Sequence, residues 1–400
     1  MKLVILGDTH FGGGFSLGTI NSYRQLNSRL IDFSNTFDHV IDYIKANNVK
    51  HFAITGDVFE YRRPQASELS LFSEKLQRLS EIGVHTHIVI GNHDMIRDQC
   101  ATTIDVLDRL KLPMVHIYTD IDSVKCEDGS GGSINLIFFP FRTRQMLDCS
   151  TNDAAVRRLS DRLQYEIRGI SNGHKILVGH FMLQGTMLGN IVIENHTGEI
   201  SLPTEMFKDL DGAIMGHIHP HHIVQKSPLV AYVGSMERKD FGDGGHLKYF
   251  LVVNSEKDKL VYQFEKLPVR PLYDIELDLS AANNGKLATE QCIEKLGLFA
   301  KKHKMADSII RLSILINERG VYDLDKDKIK TYLKKDLHIH NCVSIHTQVV
   351  SKRQLRKSTI TERIGPAKSF EEYLTLIENE EMRELMRIRG SRIISSRSEE

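Results

Sequence analysis

Five short segments of the chain place a potential metal ligand directly after an apolar run that ends in glycine. They are LVILGDTHFG with Asp8 and His10, FAITGDVFEYRRP with Asp57, IVIGNHDM with Asn92, ILVGHFM with His180, and GAIMGHIHPHH with His217 and His219. Carboxylate, amide and imidazole donors without a thiolate suit Mn²⁺, Fe²⁺ or Zn²⁺, and the donors are too many for one ion. The pattern therefore predicts a site for two divalent metal ions.

Paired metal ions are suited to the hydrolysis of phosphate esters. Two divalent ions about 3.5 to 4 Å apart activate a water molecule and neutralise the charge that grows on the phosphoryl oxygens. A separate proton donor assists the leaving alkoxide, and we expect His93 in this role because it adjoins Asn92 but is directed differently. We expect the Asp94 carboxylate to orient the His93 ring. Arg62 and Arg63 are candidates for steering a phosphate, although two loop arginines are more often merely solvated.

Each of the five segments alone fits an ordinary turn, because Gly, Asp and Asn are residues that turns favour. Five of them in this order, each behind an apolar run, favour a shared site. The other histidines have a weaker claim. We expect two of them, His221 and His222, to line the rim of the site. Those expected to be structural are His51, His85, His87, His174 and His196.

The segments sit in a chain that alternates predicted strands and helices. Strands are predicted at Lys2 to Leu6, KHFAIT, HTHIVI, HKILV and LDGAIM. Apolar residues at i, i+3, i+4 and i+7 predict one helix that ends near Asn47 and Asn48, and another that is closed by Gly83. Ligands in α/β sheets gather outside the carboxyl ends of the strands, so the candidate side chains should converge. Between about residues 228 and 267, LVAYV, YFLVV and LVYQF follow each other without helices and predict an antiparallel portion.

Composition limits the class of protein. The 400 residues contain 52 basic and 52 acidic side chains, so the formal net charge is zero and any nucleic-acid binding must use local patches. The five cysteines are odd in number and form no C-x-x-C pair, which argues against a disulfide framework or a thiolate zinc site and favours a reducing, cytoplasmic compartment. We identify neither a signal peptide nor a membrane span, and we expect a soluble protein.

A boundary is predicted near KLPVRPLY, where Pro268 and Pro271 interrupt the pattern. A βαβαβ-like unit follows, with strands at YDIELDL, SIIRLSILI and CVSIHTQVV. A basic patch that could meet DNA comes next: Lys352, Arg353, Arg356 and Lys357. The last section predicts one helix, which opens with the capping box SFEE and closes at Gly390. Such a helix either docks on its own domain or binds a partner.

The order D-x-H, G-D, G-N-H-D, G-H and G-H-x-H resembles the calcineurin-like metallophosphoesterase superfamily over roughly residues 1 to 265. Within it, GDTHFG, GDVFEYRRP, GNHDM and YVGSMERKDFGD are similar to the SbcD-type DNA double-strand-break repair nucleases. The last stretch resembles their G-S-x-x-R segment beside the active site, in which Arg238 is the basic position and a candidate ligand of the DNA phosphates. The resemblance implies an α/β fold of two stacked mixed β-sheets flanked by helices. A small α/β capping domain and a C-terminal helical segment would complete it.

The resemblance also implies an assignment of ligands and domains. One metal ion would be held by Asp8, His10, Asp57 and His219, and the other by Asp57, Asn92, His180 and His217. Manganese would be the working metal. Residues 1–267 would form the nuclease domain and 268–351 the DNA-capping domain. Residues 352–400 would form a basic linker and a helix that binds the coiled coil of an ABC-type ATPase.

The implied activity is phosphodiester hydrolysis at double-stranded DNA ends, as an exonuclease, and within single strands, as an endonuclease. This activity would serve DNA repair and recombination. The protein would be a cytoplasmic homodimer that does not contact membranes, and it would act near the nucleoid or during viral replication. The partner would use ATP, since this chain has no P-loop. The chain departs from the family pattern at Glu60, where relatives often carry His or Asp, and in the insertion FGGGFSLGTINSYRQ.

Two other functions stay open. The first is a different metallophosphoesterase that acts on small phosphodiesters. A protein phosphatase would show Gly-Asn-His-Glu, and an Arg-Gly pair in the segment that follows the bridging Asp57, and neither occurs there. The second is a catalytically silent assembly scaffold, which should have lost metal ligands. Every expected ligand is present, and the extra unit after residue 270 favours a large substrate.

Overall fold

The computed structural model describes residues 1–20, 25–95, 104–109, 111–129, 132–188, 191–192, 198–256 and 259–350, and near the carboxyl end 370–371, 373–375, 380, 382–384, 386–387 and 389. The strands are β1 (Lys2–Leu6), β2 (His51–Ile54), β3 (His85–Val89), β4 (Val115–Tyr118), β5 (Asp122–Glu127), β6 (Ser133–Phe139), β7 (His174–His180), β8 (Met182–Leu183), β9 (Met187–Leu188), β10 (Ile191–Val192), β11 (Ser201–Leu202), β12 (Gly212–Gly216), β13 (His222–Lys226), β14 (Leu229–Tyr232), β15 (Tyr249–Glu256), β16 (Lys259–Lys266), β17 (Leu272–Leu279), β18 (Ile309–Asn317) and β19 (Asn341–Val350). The α-helices are α1 (Ser28–Ala46), α2 (Ala66–Glu81), α3 (Asp105–Arg109), α4 (Asn152–Gly169), α5 (Gly285–Lys302), α6 (Glu318–Val321) and α7 (Lys326–Lys335).

Two mixed sheets form the body of the protein. The first has the strand order β16-β15-β1-β2-β3-β4, and the second has the order β13-β14-β12-β7-β6-β5. Strands β1 to β4 run parallel, and β15 joins β1 antiparallel. Within the predicted antiparallel portion, β15 pairs antiparallel with β16 in the first sheet, whereas β14 lies in the second sheet, antiparallel to β13 and parallel to β12.

Alternating side chains bind the sheets to each other and to the helices. Leu3 and Ile5 of β1 face the second sheet, whereas Val4 and its neighbours on that face pack against α1 and α2. On the outer face of the second sheet, α4 contributes Leu159. The result is a four-layer sandwich in which two stacked sheets are flanked by helices, as the family resemblance implied.

A separate sheet of three parallel strands, in the order β17-β18-β19, follows the prolines and is covered by α5 and α7. The Arg270 guanidinium anchors it to the body by donating to both Asp32 carboxylate oxygens at 2.7 and 2.6 Å. Nearby, the Asn341 side chain donates to the Leu17 carbonyl at 2.8 Å. The unit is therefore held at its base by an ion pair and by hydrogen bonds.

The carboxyl-terminal helix is described only at separate positions between Phe370 and Arg389, most of them helical. Leu374 is fully buried there. The predicted capping box of Ser369 and Glu372 and the predicted end at Gly390 lie outside the described residues. Across the described part of the chain, we find no helix with the length and apolar character that crossing a bilayer requires.

Candidate metal centre

The carboxyl ends of strands from both sheets meet at one cleft. Asp8 follows β1, Asp57 follows β2 and Asn92 follows β3, while His180 ends β7 and His217 follows β12. Three of the candidate residues have left-handed backbone angles that side chains rarely adopt: His10 at φ 42°, Asp57 at φ 47° and His217 at φ 91°. Such strain is typical of functional sites, where the surrounding structure imposes it.

One group of donor atoms lies around His10. Its Nε2 atom is 3.1 Å from Nε2 of His219. Asp8 completes this group, since single donor atoms of the three residues all lie within 4.8 Å of one another. Asp8 and His10 are fully buried. The group thus offers one carboxylate and two imidazoles to a single point.

A second group of donor atoms lies around Asn92. Its side-chain oxygen is 2.9 Å from Nε2 of His180 and 2.9 Å from Nδ1 of His217. The Asp57 carboxylate lies between the two groups, because its Oδ2 atom is 3.4 Å from Nε2 of His180 and 3.7 Å from Nε2 of His10. The seven predicted ligands therefore come together as two clusters that share one carboxylate.

The charges in the cleft fit cation binding. Burial alone would lower the pKa of His180, but the adjacent Asp57 carboxylate outweighs it and raises the pKa to about 9. A positive charge is therefore stabilised between these two side chains. Burial lowers the pKa of His219 to about 3, so this ring is neutral and keeps an electron pair for a metal ion. Oxygen and nitrogen donors of this kind suit divalent metal ions.

Two glycines, which lack a side chain, leave the space that the carboxylates of Asp8 and Asp57 occupy. A Cβ atom on Gly216 would lie 2.2 Å from Oδ1 of Asp8, and one on Gly91 would lie 2.2 Å from Oδ1 of Asp57. Asp8 is also fixed by the His217 amide, which donates to its Oδ2 atom at 2.9 Å. The glycines that end these two apolar runs are thus needed for the close approach of the Asp8 and Asp57 carboxylates.

His93 and Asp94 differ from expectation. Both Asp94 oxygens accept backbone N–H groups, at 2.9 Å from Val58 and 2.8 Å from Gly91. The His93 ring has its Nδ1 atom 2.6 Å from the Glu60 carbonyl oxygen. Asp94 therefore holds the two metal-site loops together, and the Glu60 carbonyl orients His93. This corrects the expectation that the Asp94 carboxylate would do so.

Glu60 also contacts the first donor group, a contact that the sequence did not predict. Its Oε2 atom lies 3.1 Å from Nδ1 of His10 and 2.7 Å from the Lys239 ammonium. Burial would raise the pKa of Glu60, but His10 and Lys239 outweigh it and lower the pKa to about 2. The carboxylate is therefore charged and supports His10 from the side opposite His219. Its position three residues after Asp57 was the only signal for it in the sequence.

The basic residues proposed for DNA fall into three groups. The Arg238 guanidinium is buried and donates to the carbonyl oxygens of His246 and Arg270, at 2.8 to 3.2 Å, so it is committed to the fold. This corrects its assignment as a phosphate ligand. Arg62 is half-buried and Arg63 is exposed. The basic patch of Lys352, Arg353, Arg356 and Lys357 lies outside the described residues.

The rim histidines also differ from each other. The ring of His221 packs on Phe264 with centroids 4.2 Å apart, and its Nδ1 atom is 3.1 Å from the Tyr232 carbonyl oxygen. His222 is exposed at the start of β13. His221 is therefore part of the packing, and His222 projects into solvent.

A family model of the calcineurin-like phosphoesterases matches residues 1–221. This match covers more than half of the chain, and the chain belongs to that family. Family membership and the donor clusters make it a metal-dependent phosphoesterase.

Among curated proteins, the chain is similar to nucleases and to DNA double-strand break repair proteins. The chain is 23% identical over 276 residues to SbcD, a component of the nuclease SbcCD of Escherichia coli strain K12, across 65% of this chain and 66% of the relative. It is 24% identical over 312 residues to the DNA double-strand break repair protein Mre11 of Haloferax volcanii, across 77% of this chain and 60% of the relative. It is 32% identical over 119 residues to Mre11 of Methanopyrus kandleri, across 30% of this chain and 24% of that relative. The chain thus spans just under two thirds of the length of the first relative.

Proposed function

We propose that this chain is a DNA nuclease of double-strand-break repair and recombination, which uses two Mn²⁺ ions to hydrolyse phosphodiester bonds. One observation carries the proposal: the Asp57 carboxylate lies between two clusters of oxygen and nitrogen donors. A shared carboxylate between two ion sites suits attack on a phosphodiester. The names of the relatives, a nuclease component and double-strand break repair proteins, support DNA as the substrate.

Each side chain has a role in this proposal. Asp8, His10 and His219 would hold one ion, Asn92, His180 and His217 would hold the other, and Asp57 would contribute to both. When bound, the ions supply the Lewis acidity that activates water and neutralises the phosphoryl oxygens. The seven side chains fix the spacing of the donors.

His93 moves the proton in this proposal. The Glu60 carbonyl oxygen 2.6 Å away holds the proton of Nδ1. The imidazolium form of His93 therefore gives its Nε2 proton to the leaving 3′ or 5′ oxygen and becomes the neutral ring protonated at Nδ1. The ring is half-buried and its centroid is 5.0 Å from that of His10. His93 is thus beside the first donor group without being one of its three members.

The domains divide the work. We assign residues 1–267 to hydrolysis and residues 268–351 to capping the DNA. Together these two domains would cleave double-stranded DNA as an exonuclease and single-stranded DNA as an endonuclease. The Arg270–Asp32 ion pair supports a fixed position for the cap beside the catalytic body. Arg62 and Arg63, near the cleft in sequence, contact the phosphate backbone in this proposal.

Residues 352–400 contact partners in this proposal. The basic patch meets DNA, and the helix after it binds the coiled coil of an ABC-type ATPase. A homodimer would bring two cleavage sites to one DNA end. The Escherichia coli relative is named as one component of a nuclease with more than one kind of chain, which supports assembly with another protein.

The test is cleavage by the purified chain with Mn²⁺ of three substrates: linear double-stranded DNA, single-stranded DNA and bis-p-nitrophenyl phosphate. We expect Asp57→Ala to abolish all three activities. His222→Gln is the matched control, because it removes an exposed imidazole near the cleft in sequence, and it should retain them. Cleavage of the small ester without DNA, repeated with the ATPase partner present, would overturn the nuclease proposal and leave a small-molecule phosphodiesterase.

A further inference from the structure

A row of histidines crosses the first sheet on the face that meets the second sheet. His85 and His87 leave β3 on the same side, because side chains two positions apart share a face. His51 of β2 pairs with His85, and His116 of β4 pairs with His87. The four rings are nearly parallel, with interplanar angles of 12 to 20°. Aromatic residues of the core between the sheets stack on the row, since the His87 ring lies parallel to the rings of Phe138 and Tyr118 within 20 to 29°.

A cysteine from the second sheet faces the inner end of this row. The Sγ atom of Cys126, on β5, is 3.9 Å from Nε2 of His87. Nδ1 of His51 is 3.2 Å from the same His87 nitrogen. The three donor atoms all lie within 4.8 Å of one another, and the residues are 0 to 7% exposed. Two strands of one sheet and one strand of the other thus aim donors at one buried point.

These separations match the edges of a tetrahedral metal site. Zinc–nitrogen bonds of about 2.0 to 2.1 Å and a zinc–sulfur bond of about 2.3 Å set donors about 3.3 Å apart for two nitrogens and about 3.6 Å apart for nitrogen and sulfur. The observed separations are 3.2 and 3.9 Å. Two of the three edges therefore agree with a tetrahedral site to within about 0.3 Å, and the third, between Nδ1 of His51 and Sγ of Cys126, is at most 4.8 Å.

The remaining ring nitrogens are held as in metal sites. Nε2 of His51 is 3.0 Å from the Glu127 carbonyl oxygen, and Nδ1 of His87 is 3.0 Å from the Tyr118 hydroxyl. Metal-binding histidines usually give their second ring N–H to such an oxygen, which fixes the tautomer and the ring plane. The Glu127 carbonyl can only accept, so Nε2 of His51 carries the proton and Nδ1 of His51 presents an electron pair to His87. In the tautomer in which Nδ1 of His87 donates to the Tyr118 hydroxyl, Nε2 of His87 presents a second electron pair, and both pairs are available to one cation.

The protonation states agree with this geometry. Burial lowers the pKa of His51 and His87, so both rings are neutral near pH 7. Burial raises the pKa of the Cys126 thiol to about 12. A bound metal ion would deprotonate this thiol, so binding should release one proton for each ion taken up.

We propose that His51, His87 and Cys126 form a second metal site that binds one Zn²⁺ ion, separate from the catalytic cleft. A thiolate with two imidazoles favours zinc over manganese, which prefers oxygen ligands. The ion would join β2 and β3 of the first sheet to β5 of the second, close to where the chain crosses between the sheets. Its role is therefore structural, and it adds its binding free energy to the stability of the sandwich.

Cobalt provides a test that reports the thiolate directly. The full chain is stripped with a chelator, loaded with Co²⁺ and freed of excess metal, and the bound cobalt and its thiolate charge-transfer absorption are measured. We expect that absorption in the parent chain and in Asp57→Ala, in which the catalytic cleft is impaired. Cys126→Ala should lose the absorption and one equivalent of cobalt. Cys292→Ala, which removes another buried thiol, should retain both.

A second variant guards against misfolding. If the circular dichroism of Cys126→Ala shows that it does not fold, His51→Gln must weaken the cobalt–thiolate absorption titration at least tenfold. A folded, cobalt-loaded parent chain without thiolate absorption overturns the proposal, as does absorption that survives in folded Cys126→Ala. In either case the row is a hydrogen-bond chain from the Tyr118 hydroxyl through His87 and His51 to the Glu127 carbonyl. Mn²⁺-dependent hydrolysis is measured in parallel, and Cys126→Ala should leave it unchanged.

Discussion

Replacing Glu60 by glutamine tests how the protein tunes its first metal position. The substitution keeps the size of the side chain and removes the charge that lies 3.1 Å from Nδ1 of His10. A carboxylate on the far side of a metal-binding imidazole makes that ring a stronger donor, and loss of such a partner typically costs about 10- to 100-fold in metal affinity. That range corresponds to about 1.4 to 2.7 kcal/mol.

The contacts of Glu60 favour the lower part of this range for the loss of metal affinity. The Glu60 side chain is 18% exposed, and it shares its charge with the Lys239 ammonium 2.7 Å away. Water and Lys239 therefore already weaken its effect on His10. We expect Glu60→Gln to raise the apparent dissociation constant for Mn²⁺ about 10- to 30-fold. The rate at saturating Mn²⁺ should stay within about twofold, because Glu60 does not touch the substrate in the proposed mechanism.

The assay is hydrolysis of bis-p-nitrophenyl phosphate over a Mn²⁺ titration, which separates metal affinity from turnover. Glu265→Gln on β16 is the matched control, since it removes a carboxylate far from the cleft, and its titration should follow that of the parent. An unchanged dissociation constant for Mn²⁺ in Glu60→Gln would refute the proposed support of His10 by Glu60. A lower rate at saturating Mn²⁺ with an unchanged dissociation constant would also refute it, because that result would assign Glu60 to the chemical step.

Three further predictions concern the frame of the protein. Gly216→Ala should reduce hydrolysis at least about 100-fold, since its Cβ would displace Asp8, whereas Gly245→Ala, which meets open space, should retain it in the same assay. Arg238→Ala should lower the free energy of unfolding in urea by about 2 to 4 kcal/mol, and a stable variant with weakened DNA binding would contradict this. In chelator-treated protein, the lowered pKa values of His51 and His87 mean that the unfolded chain binds more protons. As the pH decreases below about 6.5, the free energy of unfolding should therefore decrease by up to about 1.4 kcal/mol per pH unit per group. A urea midpoint that stays constant down to about pH 5.5 would contradict this prediction.

The sequence was most informative where a local pattern determines geometry. Each apolar run before Asp8, Asp57 and Asn92 is a strand, and the carboxyl ends of parallel strands share one edge of a sheet. The convergence of the candidate ligands could therefore be predicted without knowing the order of the strands. The βαβαβ unit after residue 270 was predictable for the same reason, because its periodicity alternates clearly between strand and helix.

The sequence was uninformative where one side chain depends on a distant backbone group. Nothing local distinguishes an arginine that binds phosphate from Arg238, whose donors are taken by carbonyl oxygens of the loop at His246 and the linker at Arg270. Asp94 was assigned to its sequence neighbour His93, yet its oxygens face the amides of Val58 and Gly91. Such contacts follow from tertiary packing, which adjacency in the chain does not encode.

The histidine row illustrates the same limit for a whole cluster. His51 and His87 were each judged structural, because a lone histidine on an apolar strand is usually a satisfied core residue. Cys126 was discounted because no second cysteine lies near it in sequence. The three meet only through the parallel register of β2 and β3 and the stacking of the second sheet on the first. Register and stacking are global properties, so the spacing of the residues gave no sign of the cluster.

The two clusters differ in donor chemistry, and this gives the protein a means of sorting metal ions. The catalytic cleft offers carboxylate and amide oxygens together with imidazoles, which Mn²⁺ accepts, whereas the proposed second site offers a thiolate that Mn²⁺ disfavours. Both places offer imidazoles, which zinc accepts, but only the proposed second site adds sulfur to them. One equivalent of Zn²⁺ added to metal-free protein should therefore raise the thermal midpoint and leave Mn²⁺-dependent hydrolysis intact. If that first equivalent instead inhibits hydrolysis and leaves the midpoint of Cys126→Ala and the parent equal, zinc enters the catalytic cleft first and the sorting argument fails.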